Sequence, residues 1–193
     1  MLFFDDILWW EDLQHGSDAR PGSKRAAFLD RDGTIIEDMR YGGSPEMVRP
    51  VPGARTALEM LRDAGFLLFL VTNQSGAARG FISRENLLAT HRELERRLGM
   101  RFDGIEFCPH MPGERCGCRK PAPGMIKRIL LRWPDIELSS SVTIGDNPRD
   151  ILAGKAMGTK TVLIAERAPD GLEPDLVTPS ILEAARWTVK NLA

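Results

Sequence analysis

Apolar residues in this chain follow two alternating rhythms. Short segments of strand length fall at 26–29, 66–71, 105–107, 141–145 and 161–165, and the chain turns polar abruptly after them. Between them lie stretches with helical spacing. Ala57, Leu58 and Leu61 recur on one face after Pro52-Gly53 and before a stop at Gly65, and Leu87, Leu88, His91, Leu94 and Leu98 do so within 84–98. Further helices are predicted over 124–133, over 148–157 with Gly158 as the stop, and over 180–192, with a short edge strand near Leu176 and Val177. Strands alternating with helices predict an α/β fold with a mainly parallel sheet. No internal repeat is found.

The polar bursts carry the candidate chemistry, because ligands of open α/β sheets bind beyond the carboxyl ends of the strands. Asp30 and Asp32 follow the first strand in the run D-R-D-G-T. Two carboxylates so close repel each other unless a cation neutralises one or one holds a proton. Metal-assisted phosphoryl chemistry uses both options, with Asp30 as attacking group and Mg²⁺ ligand and Asp32 as proton carrier. Asp-Gly is equally a common turn signal, so the pair alone does not decide. Thr72 and Asn73 end the second strand with a hydroxyl and an amide able to face phosphate oxygens, although an ordinary helix cap explains Thr72 to Ser75 as well. Asp146 ends the fourth strand and is suited to an oxygen-rich Mg²⁺ site with Asp30 and the carbonyl of Asp32, with Asp150 in support. His91, on an apolar helix face, reads as a packed or surface residue rather than a ligand.

All three cysteines, Cys108, Cys116 and Cys118, fall with His110 within eleven residues. Three thiolates and an imidazole make the closed tetrahedral set of a structural Zn²⁺ site. The C-x-H and C-x-C spacings imply a folded knuckle rather than a finger. Disulfide pairing is the alternative, but three thiols leave one over. Directly after the knuckle come Arg119 and Lys120, a forked cation and a point charge for anionic groups.

At 193 residues, with 42% hydrophobic and 27% charged residues, the chain is expected to form one soluble domain over 25–193, preceded by an appendage over 1–24. A formal net charge of -1 gives no reason to propose nucleic acid or an anionic membrane as partner. The apolar amino terminus carries Asp5, Asp6, Glu11 and Asp12 where a secretory signal would be basic, and no run is long enough to span a bilayer, so a cytoplasmic protein is expected.

Taken in order, D-R-D-G-T, the strand ending in Thr72, the Lys120 loop and G-D-N-P-R-D resemble the haloacid dehalogenase (HAD) superfamily of aspartate-nucleophile phosphatases. The stretches FLDRDGTI, VTNQSGAARG, the block from Cys108 to Met125 and IGD are similar to its branch of heptose 1,7-bisphosphate and histidinol-phosphate phosphatases. The resemblance implies a Rossmann-like three-layer sandwich with a zinc-binding loop and no separate cap domain. It also implies roles: Asp30 as nucleophile and Mg²⁺ ligand, Asp32 as general acid and base, Asp146 as the other Mg²⁺ carboxylate, and Thr72 and Lys120 as stabilisers of the phosphoryl group. Arg119 would recognise a phosphorylated small-molecule substrate, a sugar phosphate, and Asp38, Tyr41, Asn73, Gln74 and Ser75 align with substrate-contacting loops. Cys108, His110, Cys116 and Cys118 would bind zinc. Asn147 departs from the pattern, since heptose bisphosphatases often have lysine there. The 7-phosphate of a heptose 1,7-bisphosphate is the expected substrate, histidinol phosphate the alternative, and a catalytically inactive phospho-ligand-binding domain the rival of another class.

Overall fold

The structure is a computed structural model and describes residues 24–39 and 43–193. Expectations for the amino-terminal stretch and for Tyr41 lie outside the described residues, apart from Lys24. Among the described residues six strands form a single sheet in the order β3-β2-β1-β4-β5-β6, and every neighbouring pair is parallel. The strands are β1 (Arg25–Leu29), β2 (Phe66–Asn73), β3 (Gly104–Cys108), β4 (Val142–Gly145), β5 (Lys160–Ile164) and β6 (Leu176–Thr178). Five helices among the described residues connect or close them: α1 (Ala54–Asp63), α2 (Arg84–Leu98), α3 (Gly124–Arg132), α4 (Pro148–Met157) and α5 (Ile181–Leu192).

Alternation along the strands sorts two cores, because successive side chains point to opposite faces. Ala27 and Leu29 of β1 and Leu68 and Leu70 of β2 face α1, α2 and α5. Ala26, Phe28, Phe69 and Val71 face the other way, onto Met125, Ile126 and Ile129 of α3 and onto Trp133. Phe69 stacks on Phe28 and meets Trp133 edge-on, both at 5.8 Å between ring centroids. Such aromatic pairs add about 0.5–1.5 kcal/mol each beyond their buried area. On this second face α4 sits so close to β4 that a Cβ on Gly154 would lie 2.7 Å from Thr143. The result is helices on both faces of a parallel sheet, the three-layer arrangement expected.

Element boundaries shift where strand pairing extends them. β2 continues two residues past Val71 because Thr72 and Asn73 pair with Phe107 and Cys108, so both polar residues belong to the strand itself. β3 likewise ends on Cys108, which anchors the first cysteine in the sheet. Among its described residues, the segment between β1 and α1 holds only a 3₁₀ turn, Pro45–Met47. That segment is tied down by Thr90 of α2, whose hydroxyl donates to the Gly43 carbonyl at 3.0 Å. No inserted unit separates from the sheet among the described residues, and none of their helices is long and apolar enough to cross a membrane.

Strand order reverses direction between β1 and β4. The chain winds outward from β1 to β2 and β3, then returns to place β4 on the other side of β1. Crossovers leaving in opposite directions open a crevice at the carboxyl ends of these two strands, where Asp30 and Asp146 emerge.

Candidate active site

The turn after β1 is wound tightly around one carbonyl. The backbone N–H groups of Thr34, Ile35 and Ile36 all point at the Arg31 oxygen, at 3.4, 2.9 and 3.1 Å. Gly33 makes the turn possible, with φ at 75° and so little room that a Cβ would lie 2.3 Å from Asp146 Oδ2. Gly145 plays the same part on β4, where a Cβ would come within 2.4 Å of Asp150 Oδ2. Two missing side chains therefore let carboxylates approach the strand ends.

Asp30, Asp146 and Asp150 bring carboxylate oxygens within 4.8 Å of one another. Lys120 enters this group from the loop after the knuckle. Its Nζ lies 2.8 Å from Asp30 Oδ1 and 2.7 Å from Asp150 Oδ1, and it donates to the Val71 carbonyl at 2.6 Å. Burial opposes the charge on Lys120, but Asp30 and Asp150 hold its pKa above the ordinary lysine value. One cation among three acids leaves net negative charge. Asp146 is pushed up to about 7, first by burial and then by the charges of Asp30 and Asp150. Asp150 rises to about 6 for the same leading reasons, burial and Asp30, against the pull of Lys120. Three crowded oxygens short of positive charge fit a hard divalent cation such as Mg²⁺.

Asp32 is handled separately. Arg31 grips it with Nε and Nη2, each at 3.1 Å, and Gln74 Nε2 donates to its Oδ2 at 2.8 Å. Arg31 is only 2% exposed. Its remaining donors go to Gln74 Oε1 at 2.9 Å and to Nε2 of the fully buried His91 at 3.3 Å. His91 is held neutral, its pKa depressed well below the usual value by burial and then by Arg31. The sequence anticipated the repulsion between Asp30 and Asp32 but not this solution, in which each acid has its own buried cation. Its trace was a charged residue with apolar neighbours on both sides of the D-R-D turn.

A cleft of about 410 Å³ opens above these groups. Asp30, Asp32, Asp38, Thr72, Asn73, Gln74, Ser75, Arg119 and Asp146 all line it, as do Arg31, Asn147 and Arg149, which sequence reasoning had not assigned to substrate contact. Thr72 Oγ1 accepts from Gln74 Nε2 at 2.9 Å, which leaves its own hydroxyl proton to donate into the cleft. Asn73 is engaged at both amide atoms, accepting the Lys120 N–H at 3.1 Å and donating to the Lys120 carbonyl at 3.2 Å. In this arrangement it clamps Lys120 in place, and the amide of Gln74 is likewise taken up by Asp32, Thr72 and Arg31.

The knuckle closes next to the cleft. Cys108, His110, Cys116 and Cys118 place one ligand atom each within 4.8 Å of the others, with Cys118 Sγ 3.2 Å from both Cys108 Sγ and His110 Nδ1. No disulfide joins the cysteines. Cys118 is pulled down to about 5, first by the hydrogen bond with Cys108, whose own thiol is pushed up by that bond and by burial. A set of three sulfurs and one imidazole nitrogen at these separations fits tetrahedral Zn²⁺. Arg119 Nη1 donates to the His110 carbonyl at 3.0 Å, so the knuckle fixes the guanidinium at the cleft wall.

Comparisons agree with this chemistry. Residues 117–184 match a family model described as HAD-hydrolase-like. A protein of Rhodopseudomonas palustris named D-glycero-beta-D-manno-heptose-1,7-bisphosphate 7-phosphatase is 42% identical over 143 residues, covering 69% of this chain and 79% of its own. The Haemophilus ducreyi protein of the same name is 37% identical over 175 residues, covering 83% of this chain and 96% of its own. Among solved structures, the D,D-heptose 1,7-bisphosphate phosphatase of B. bronchiseptica, complexed with magnesium and phosphate, aligns with a TM-score of 0.75 at 32% identity, over 86% of this chain and 98% of that one.

Two metal predictions follow from the geometry. Protein purified without chelator should contain about one zinc per chain by elemental analysis, and Cys118→Ser should lose it together with thermal stability; full zinc content in that variant would exclude the knuckle. For the acidic cluster, the raised pKa values of Asp146 and Asp150 mean that these groups favour the metal-free fold below the ordinary aspartate range, and that this stability is lost as pH rises through about 6 to 7. Mg²⁺ competes with the same protons. At about a hundredfold over its Kd at pH 8, Mg²⁺ should add roughly 2.7 kcal/mol, about 5–10 °C in melting temperature, and at pH 5 almost nothing. Equal stabilisation at both pH values would separate the carboxylates from the cation.

Proposed function

Since the chain belongs to the HAD phosphatases, among relatives named heptose 1,7-bisphosphate 7-phosphatases, we propose that it hydrolyses the 7-phosphate of D-glycero-D-manno-heptose 1,7-bisphosphate through a phosphoryl group carried on Asp30. The observation that carries this reading is the placement of Asp30, at the end of β1, against Lys120 and beside Asp146, with the cleft in front of it. We place the whole catalytic unit in residues 25–193, since every proposed site residue falls there.

In the first step one oxygen of Asp30 remains held by Lys120 and the other attacks phosphorus. The bond to the sugar oxygen breaks as the aspartyl-phosphate forms, and Asp32 gives its proton to that oxygen. In the second step Asp32 takes a proton from water, the water oxygen attacks the same phosphorus, and phosphate leaves with Asp30 restored. The Thr72 hydroxyl donates to a phosphoryl oxygen throughout. Asp30, Asp146 and the Asp32 carbonyl would hold Mg²⁺, which when bound would supply the positive charge that lets an anionic carboxylate meet an anionic phosphate.

Arg31 and Gln74 keep Asp32 aimed at the leaving oxygen, and Asn73 keeps Lys120 in register with Asp30. Arg119, with Asp38 and Ser75, contacts the sugar and its other anionic end. Cys108, His110, Cys116 and Cys118 would hold Zn²⁺, which when bound would brace the loop that carries Arg119 and Lys120. A reducing cytoplasm suits three unpaired thiols.

Side-by-side kinetics test the assignment. Heptose 1,7-bisphosphate should be cleaved at position 7 with kcat/KM at least about tenfold above that for histidinol phosphate, and Asp30→Asn should abolish phosphate release from both while leaving the melting temperature near that of the parent. A histidinol phosphate rate equal or higher would overturn the heptose assignment.

A further inference from the structure

Among the described residues, three cations line the cleft: Arg31, Arg119 and Arg149. Arg31 is closed off by Asp32, Gln74 and His91. Lys120 lies buried beneath Asp30 and Asp150. That leaves Arg119, with one donor tied to the His110 carbonyl, and Arg149.

Arg149 sits in the first turn of α4, which is unusually well fixed. Asn147 caps the helix, its Oδ1 accepting the Arg149 N–H at 3.3 Å, while its own N–H donates to Asp150 Oδ2 at 3.0 Å. Pro148 fills the first helical position. The Asn147 side-chain oxygen is thus committed to the cap, and the cation that this turn offers the cleft is the residue two positions on. No carboxylate forms an ion pair with Arg149 among the described residues, and its Nε is buried without a hydrogen-bond partner. A shielded guanidinium N–H without an acceptor is costly, and a planar fork at a cleft wall matches a phosphate or carboxylate.

We propose that Arg149 and Arg119 together seat the second anionic group of the substrate, the one that is not transferred to Asp30. The seat rests on the phosphatase reading above and sharpens it. The transferred phosphate is already served by Lys120, Thr72 and the acidic cation site, so two further guanidiniums are matched to a dianion at the far end of the molecule. A bisphosphate satisfies both, and an ester with an ammonium group in that place meets two like charges. Because the Arg149 backbone is locked by the cap, little ordering accompanies binding, and the contact acts on substrate choice.

The test compares heptose 1,7-bisphosphate with the 7-monophosphate of the same sugar, in the intact protein with Mg²⁺, for the parent, Arg149→Ala and Arg149→Lys. The ratio of kcat/KM for the two substrates should fall about tenfold to hundredfold in Arg149→Ala, through KM for the bisphosphate, with part of the preference kept in Arg149→Lys. Circular dichroism of each variant controls for folding, and Arg149→Lys carries the comparison should the alanine variant misfold. An unchanged ratio in Arg149→Ala, or in Arg149→Lys where it stands in, or an equal loss on both substrates together with a raised Mg²⁺ requirement, would overturn the seat and assign Arg149 to the neighbouring acids. Should the parent protein cleave neither compound, the phosphatase reading itself falls, and the seat with it; a parent that prefers the bisphosphate while the variants keep its ratio fails the seat alone.

Discussion

The contact on which the site depends is Lys120 between Asp30 and Asp150. One ammonium, 4% exposed, joins the end of β1 to the start of α4 and is itself delivered by the loop after the knuckle. Three parts of the chain far apart in sequence meet at that charge. Removing one partner of such a buried pair leaves an uncompensated ion and costs about 3–5 kcal/mol. The surrounding structure is arranged to keep the lysine there: Asn73 brackets its backbone, the Val71 carbonyl accepts from its head, and the knuckle closes onto α3, where Gly124 donates to the Gly117 carbonyl at 3.1 Å.

Charge compensation divides the site into two halves with different work. Asp30 and its neighbours are left short of positive charge, which suits a cation and a dianionic phosphoryl group. Asp32 is gripped by a buried guanidinium and an amide, which suits a group that must keep one orientation while protons pass through it. The neutral, buried His91 behind Arg31 completes that support without adding charge. Glycines 33 and 145 allow the two halves to sit within one turn of the strand ends.

Much of this was legible along the chain. The apolar segments marked the strands, and the abrupt polar residues after them marked Asp30, Thr72 and Asp146, because a buried strand that ends at a sheet rim has nowhere else to show polarity. The cysteine and histidine spacing marked the knuckle. What stayed hidden depends on contacts across long sequence distances. Arg31 meets Gln74 and His91 from 43 and 60 residues away, and Asn73 meets Lys120 across 47. No local pattern reports such pairs. Asp150 was expected as a supporting acid; the fold places its oxygens in the same cluster as Asp30 and Asp146, through the capping turn of α4. Asn73 read from sequence as a phosphate donor and Gln74 as part of a substrate-contacting loop; both line the cleft, and their amides are also engaged by neighbours that only folding supplies.

The central claim is that Asp30 carries the phosphoryl group between substrate and water. Rapid acid quenching of turnover with radiolabelled 7-phosphate measures this directly. The account predicts protein-bound label within the first turnover, located in the peptide that contains Asp30 and absent from Asp30→Asn. Phosphate release with no label on the protein, or label on another residue, would contradict it.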